Sequence, residues 1–287
     1  YLLHDFMHYP PLGLLAISAD VDRRHKIEVF DTVAKKKSID ESVTYILSKK
    51  PKVVGISVVS WRLFRAYDIS KKIKERNSDI IIVLGGPHFN YYPKETMEWG
   101  FIDYILTQYA ESTFPQLIEA LDASNLSALK HIPNLWYKEN GNIQQNPIED
   151  PPKNLDSVPY PRRDIINLDD YFTLADNVRM TTVYTSRGCP YTCTFCDVAE
   201  KIYHYRSPSS VVDEFEIIKD LGIDEIHIFD DTFNIRRHRV VDLCNEIIKR
   251  DLKISWSTRA AVHPADREMV SLMKKAGCTF ISFGGES

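Results

Sequence analysis

The sequence predicts an α/β protein built in two successive parts, and three observations carry that prediction. Short apolar runs alternate with helical stretches through about the first 125 residues, and a second alternation of the same kind begins at Met180. In both series polar residues follow the carboxyl ends of the apolar runs, where parallel sheets and barrels keep their ligands. Between them the texture changes: Pro133, Pro147, Pro151, Pro152, Pro159 and Pro161 crowd the stretch from 133 to 167. The expected boundaries are therefore 1–125, a Pro-rich connection at 126–175, and 176–287.

In the first series, Leu12 to Ala19 is a short apolar segment after Tyr9-Pro10-Pro11, and Ile27 to Phe30 reads as a strand ending at Asp31. Ile39, Val43, Ile46 and Leu47 share one face of a helix over 39–49. Val53 to Val59 is a continuous apolar run of the kind buried on both faces. A helix over roughly 63–76 leads to a strand at Ile80–Leu84, which ends in Gly85-Gly86-Pro87-His88. A short helix over about 93–98, a strand at Phe101–Leu106 and a helix over 112–121 complete the series. Such alternation requires right-handed crossovers and a parallel sheet. In the connection, Leu135-Trp-Tyr137 and Ile143 flank Glu139-Asn-Gly-Asn142, which spells a small hairpin.

The second series opens with the strand Met180–Thr185. Ser207 and Pro208 then start a helix that runs to Leu221, as an N-cap followed by Pro at the first position. Strands at Glu225–Phe229, Lys253–Ser257 and Thr279–Phe283 alternate with helices at Arg239–Lys249 and Ala265–Ala276. The strand ends carry Asp230-Asp231-Thr232, Thr258-Arg259 and Gly284-Gly285-Glu286-Ser287. Four strands do not close a barrel, so further β/α units are expected beyond Ser287. The start at Tyr1 and the stop directly after a strand read as a fragment.

The bulk numbers exclude some classes. With 36 Lys and Arg against 40 Asp and Glu the formal charge is −4, which gives no electrostatic footprint for nucleic acid or an anionic membrane. No apolar run approaches the ~18 residues of a membrane span, and no secretory signal is present. The cytoplasm is the expected location.

The chemistry centres on Thr185-Ser-Arg-Gly-Cys-Pro-Tyr-Thr-Cys-Thr-Phe-Cys-Asp197. Three of the five cysteines, Cys189, Cys193 and Cys196, stand there at spacing C-x3-C-x2-C. Thiolates suit iron–sulfur clusters, Zn or Cu(I). A four-iron cluster ordinarily takes four cysteines, so three leave one iron open to a ligand. The alternative is a structural Cys3His zinc site completed by His204, in a non-enzymatic module fused to an inert α/β domain. Zinc ligands usually come as two separated pairs, and no second pair exists here. Cys244 and Cys278, isolated in apolar contexts, read as buried thiols.

The cysteine spacing, with Phe195 before the third cysteine, resembles the signature of the radical S-adenosylmethionine (SAM) enzymes. Ser186-Arg187-Gly188 and Pro190 resemble the branch that carries a cobalamin-binding domain ahead of the barrel. Pro10-Pro11-Leu-Gly13, Val54-Gly-Ile-Ser57 and Leu84-Gly-Gly-Pro-His88 are similar to segments of that domain. The resemblance implies a Rossmann-like, cobalamin-binding-type parallel sheet followed by a partial (β/α) radical SAM barrel. It implies a [4Fe-4S] cluster on Cys189, Cys193 and Cys196 whose open iron chelates SAM. One electron then cleaves SAM to methionine and a 5′-deoxyadenosyl radical.

By the same resemblance, the backbone around Phe195 contacts the SAM adenine while its ring walls the pocket or joins the core. Asp230 or Asp231, with Thr232, holds the SAM amino group or caps a helix. Arg259 pairs with the SAM carboxylate or bridges surface acids, and Glu286 lies near the ribose. Ser57, Ser60, Gly85, Gly86 and Pro87 line the cobalamin site, the two glycines allowing close approach to the backbone. The family's acidic loop is replaced by Gln108-Tyr-Ala-Glu111, and no Asp-x-His-x-x-Gly motif makes His88 a cobalt ligand. Tyr203, His204, Tyr205 and Arg206 are expected to face cofactor or substrate, and His227 to be structural. The implied reaction is methyl transfer to an unactivated carbon, or cyclisation or rearrangement, on a small-molecule substrate with a flavodoxin- or ferredoxin-type electron donor.

Overall fold

A computed structural model of the chain describes residues 9–173, 177–196 and 201–285. The chain forms two units, one of Gly13–Pro151 with Pro161–Ile166, the other of Tyr1–Leu12 with Pro152–Tyr160 and Asn167–Ser287.

The first unit follows the apolar periodicity closely. Helix α1 covers Leu12–Ile17 and α2 Ile39–Ser48, the latter opened by a reciprocal capping box between Ser38 and Glu41. Then come β1 (Val53–Ser57), α3 (Leu63–Arg76), β2 (Ile81–Gly85), α4 (Pro93–Met97), β3 (Tyr104–Leu106) and α5 (Thr113–Asp122). The hairpin strands β4 (Leu135–Glu139) and β5 (Asn142–Gln145) turn at Asn140 and Gly141, both at positive φ as a tight two-residue turn requires. The sheet order is β1-β2-β3-β4-β5, parallel through β3 and antiparallel beyond it. The hairpin expected in the connection is therefore the far edge of the first sheet. Apolar residues cover both faces. Ile82, Leu84 and Ile105 pack against Ile69 and Ile73 of α3, while Val83 and Leu106 pack with Leu117, Leu135 and Tyr137.

Two expectations fail here. β1 is not buried on both faces, because it is an edge strand, and Gly55 and Ser57 are exposed. Ile27 to Phe30 joins no ladder among the described residues, because its side chains dock on α2 instead. Phe30 stacks on Tyr45 at 4.4 Å, and Glu28 takes a hydrogen bond from the Tyr45 hydroxyl and an ion pair from Lys49.

The second unit is a parallel sheet of β6 (Met180–Val183), β9 (Glu225–Ile228), β10 (Ser255–Ala261) and β11 (Cys278–Gly284). The intervening α6 (Pro208–Asp220), α7 (Arg237–Lys249) and α8 (Arg267–Lys275) keep the strands in chain order, as in a barrel. Ser207 caps α6 ahead of Pro208, as the sequence predicts. Val183, Ile226, Ile228 and Trp256 meet the helices through Phe215, Val240, Leu243, Met269 and Met273. β10 starts two residues later than expected and extends to Ala261, because β11 pairs with it to that point. A two-residue ladder of β7 (Ser186–Arg187) and β8 (His204–Tyr205) stands between β6 and α6. No helix among the described residues is long and apolar enough to cross a membrane.

Candidate active site

The cysteine loop leaves the carboxyl end of β6, and its departure is fixed by one side chain. Asp230, fully buried just past β9, accepts four hydrogen bonds from the residues that open the loop. Its Oδ1 accepts from the Thr185 and Ser186 amides at 2.7 and 3.0 Å, and its Oδ2 from the two hydroxyls at 2.5 and 2.6 Å. Such charge-assisted bonds are the strong ones. Arg239, buried beneath, pairs with Oδ2 at 3.4 Å and donates to Thr185 Oγ1 and, at 2.9 Å, to the Phe233 carbonyl. The β7–β8 ladder then clamps the loop at both ends, and Gly188 turns it at a φ of 81°. Cys189 is buried, its Sγ 3.6 Å from Thr232 Oγ1, whereas Cys193 and Cys196 are exposed. A turn joins the last two through the Cys196 amide and the Cys193 carbonyl.

The segment after β9 also grips β10. The Phe233 amide donates to the Arg259 carbonyl, and the Asn234 side chain makes two 2.8 Å bonds to the Ala261 backbone. Arg259 itself projects from β10 with its guanidinium 4.2 Å over the Phe229 ring. Its side chain has no hydrogen bond or ion pair among the described residues. Asp231, also exposed, follows the neighbouring strand.

In the first unit, Ser57, Ser60, Gly85, Gly86 and Pro87 stand at or just beyond the carboxyl ends of β1 and β2. Ser60 Oγ lies 3.0 Å from His88 Nδ1, and His88 Nε2 is buried without a hydrogen-bond partner among the described residues. Burial lowers the His88 pKa. Trp61, Tyr91 and Tyr92 are exposed just beyond these strand ends, and Phe64 in the first turn of α3.

Residues 6–118 match the B12 binding domain family, and residues 183–287 match the Radical SAM superfamily. The chain belongs to the radical SAM superfamily, in the branch that carries a B12-binding domain. It is 34% identical to an uncharacterized methyltransferase of Pyrococcus horikoshii over 97% of its own length and 61% of the relative's. It is 30% identical to the anaerobic magnesium-protoporphyrin IX monomethyl ester cyclase of Rubrivivax gelatinosus, over 90% of the chain and 48% of that protein. The chain thus spans about half to three-fifths of the curated relatives it matches. A solved structure, the radical SAM methyltransferase TsrM of Kitasatospora setae, shares the fold with a TM-score of 0.78 at 21% identity. That likeness covers 97% of this chain and 58% of TsrM.

The residues fit the cofactors of a B12-type radical SAM protein. The three cysteines are free thiols on one anchored loop. Among the described residues no three His, Cys, Asp or Glu side chains gather to hold a single ion, so His204 completes no Cys3His zinc set. A cluster takes its thiolates one per iron, so its ligands need not converge on a point. In the B12-binding domain, His88 Nε2, buried and unpartnered among the described residues, is the kind of atom a bound ligand satisfies.

Several residue roles change. Asp230 is neither a helix cap nor open to an incoming ammonium, because both its oxygens are engaged inside the protein; Asp231 is the exposed member of the pair. Gly86 is needed for its φ of 108° and because a Cβ would stand 2.7 Å from the Val58 carbonyl oxygen, a cause that lies within the chain's own backbone. Gly85 has ordinary room, its nearest atom being Leu106 O at 3.5 Å. Phe195 is exposed rather than a core aromatic. Arg206 is buried, its guanidinium engaged by Glu214 and the Ser210 and Tyr184 carbonyls, while Tyr205 is exposed. Cys244 is buried and Cys278 half-buried, and burial pushes both thiols up to about 12. Glu286 lies outside the described residues. Thr185, Asn234 and Arg239 were missed; a pattern of buried polar residues spread over three elements leaves no local signal.

Proposed function

We propose that this chain is the cobalamin-binding and SAM-cleaving part of an enzyme that methylates an unactivated carbon of a small molecule. The observation that carries the reading is the three-thiol loop at the end of the first barrel strand, locked to the second strand through Asp230. Cys189, Cys193 and Cys196 hold a [4Fe-4S] cluster. Thr232 steadies Cys189 from below, and Asp231 and Arg259, exposed at the ends of adjacent strands, take the ammonium and carboxylate of SAM. Phe229 orients the Arg259 guanidinium by stacking beneath it. Ser60 and His88 provide polar contacts for cobalamin in the first unit. When bound, the three cofactors supply one-electron chemistry and a methyl carrier, and the protein positions them and keeps water away. A flavodoxin- or ferredoxin-type partner supplies the electron, and a reducing cytoplasm suits the cluster.

Cyclisation or rearrangement is the second reading, favoured by the 30% identity to the Rubrivivax cyclase. Protein reconstituted anaerobically with iron, sulfide and hydroxocobalamin, then reduced with dithionite, should retain cobalamin through desalting and convert SAM to methionine and 5′-deoxyadenosine. Iron-loaded protein that produces no 5′-deoxyadenosine would sink the proposal. Labelled methyl from SAM recovered on the bound cobalamin favours methyl transfer over cyclisation.

A further inference from the structure

The face of the second sheet turned away from its helices carries a hydrogen-bond chain that the cluster loop does not use. Glu225 and His227 share that face of β9 by strand alternation, and Ser257 of β10 stands opposite His227 in register. Ser257 Oγ donates to Glu225 Oε1 at 3.2 Å and lies 3.0 Å from His227 Nδ1. A serine hydroxyl has one hydrogen, and an ionised carboxylate only accepts. With that hydrogen committed to Glu225, Ser257 Oγ must accept from Nδ1–H. The neutral ring is thereby fixed in the tautomer that leaves Nε2 bare. Nε2 has no hydrogen-bond partner among the described residues. The rings of Tyr9 and Phe229 stand 5.3 and 5.7 Å from the imidazole, and Arg259 caps Phe229. Burial and the Arg259 charge push the His227 pKa down to about 4, which keeps the lone pair available at ordinary pH.

We propose that His227 Nε2 accepts a hydrogen bond from a hydroxyl or N–H of the small-molecule substrate, making Glu225, Ser257 and His227 a specificity element inside the barrel. This rests on the radical SAM reading, in which substrate enters at the carboxyl ends of the strands. His227 lies one inward-facing position below Phe229 at that end. A site built to pair a donor rejects an analogue lacking it by roughly 10⁴-fold, because its own polar atom is then left unpaired. His227 is a positioning and recognition residue in this account, and takes no part in hydrogen abstraction.

The test is the ring's tautomer, read from long-range ¹H–¹⁵N spectra of histidine-labelled chain without cofactors, the resonance assigned with His227→Gln. The expected result at pH 7 is a neutral ring protonated at Nδ1, and in Ser257→Ala a shift toward the Nε2–H form. Phenol at millimolar concentration should then move the Nε2 signal upfield, while anisole, of similar shape but without a donor, should not. An Nε2–H or charged ring in the unsubstituted protein overturns the proposal, as does an equal response to phenol and anisole or none to either. If tautomer and phenol response hold while iron-loaded protein fails to cleave SAM, the acceptor site stands and the radical SAM reading falls. The opposite pair of results overturns the acceptor alone.

Discussion

Asp230→Ala should loosen the launch of the cysteine loop far more than any surface change in the same unit. The substitution leaves the Thr185 and Ser186 amides and hydroxyls without the acceptor that binds all four, and leaves Arg239 a buried cation without its partner. An unsatisfied buried donor costs about 1–3 kcal/mol, and breaking a buried ion pair from one side about 3–5 kcal/mol. These terms overlap, because water entering the vacated space can serve several donors at once. A net loss of about 4 kcal/mol follows, a large part of the 5–15 kcal/mol that holds an ordinary domain. The chain has two units, so a global melt would blur the effect. Amide hydrogen exchange of a peptide spanning 180–186 isolates it. A loss of about 4 kcal/mol in opening free energy is about a 10³-fold faster exchange when exchange follows the opening equilibrium. Adding Arg239→Met removes the stranded charge and should recover about half of the loss. Acceleration below about 5-fold, or a double variant no better than the single, would refute the view that Asp230 anchors the loop.

Gly86→Ala should cost the first unit roughly 2–3 kcal/mol through its positive φ and the 2.7 Å approach to Val58, whereas Gly85→Ala should stay within about 1 kcal/mol; thermal melts by circular dichroism compare them. His227 should make the second unit acid-sensitive. Its folded pKa of about 4 lies below the ordinary histidine value of 6.5, so between these the unfolded chain takes the proton first. Its contribution is complete above pH 6.5, falls as pH drops toward 4 and levels below; His227→Gln should flatten that slope in urea midpoints measured at pH 7 and pH 5. Arg259→Met should weaken SAM binding about tenfold or more by isothermal titration, with Arg259→Lys giving only partial recovery because a lysine cannot reproduce the planar stack on Phe229.

The parts of the fold that were legible in the sequence are those with local causes. The Ile39–Val43–Ile46 helix face, the Ser207-Pro208 start, the Asn140-Gly141 turn and the apolar β2 each carry their signal within a few residues. The cysteine spacing is equally local, and it led directly to the family. Ile27–Phe30 misled because its alternation fits a strand equally well when its side chains dock on a helix. β1 misled because an apolar run does not say whether a neighbour lies on each side. The role of Asp230 depends on bringing it against residues 45 positions earlier, and that of Gly86 on the return of Val58 beside it. Neither pairing has a local pattern. His227 looked structural because the residue that sets its tautomer, Ser257, lies 30 positions away on the next strand.

The central claim is that Cys189, Cys193 and Cys196 hold a four-iron cluster with one iron open to SAM. Anaerobic reconstitution with iron and sulfide, followed by electron paramagnetic resonance of the reduced protein with and without SAM, tests it most directly. The account predicts a [4Fe-4S]⁺ signal whose g-values move when SAM is added, and loss of that signal in Cys189→Ala. Stoichiometric zinc without iron, or a cluster signal indifferent to SAM, would contradict it.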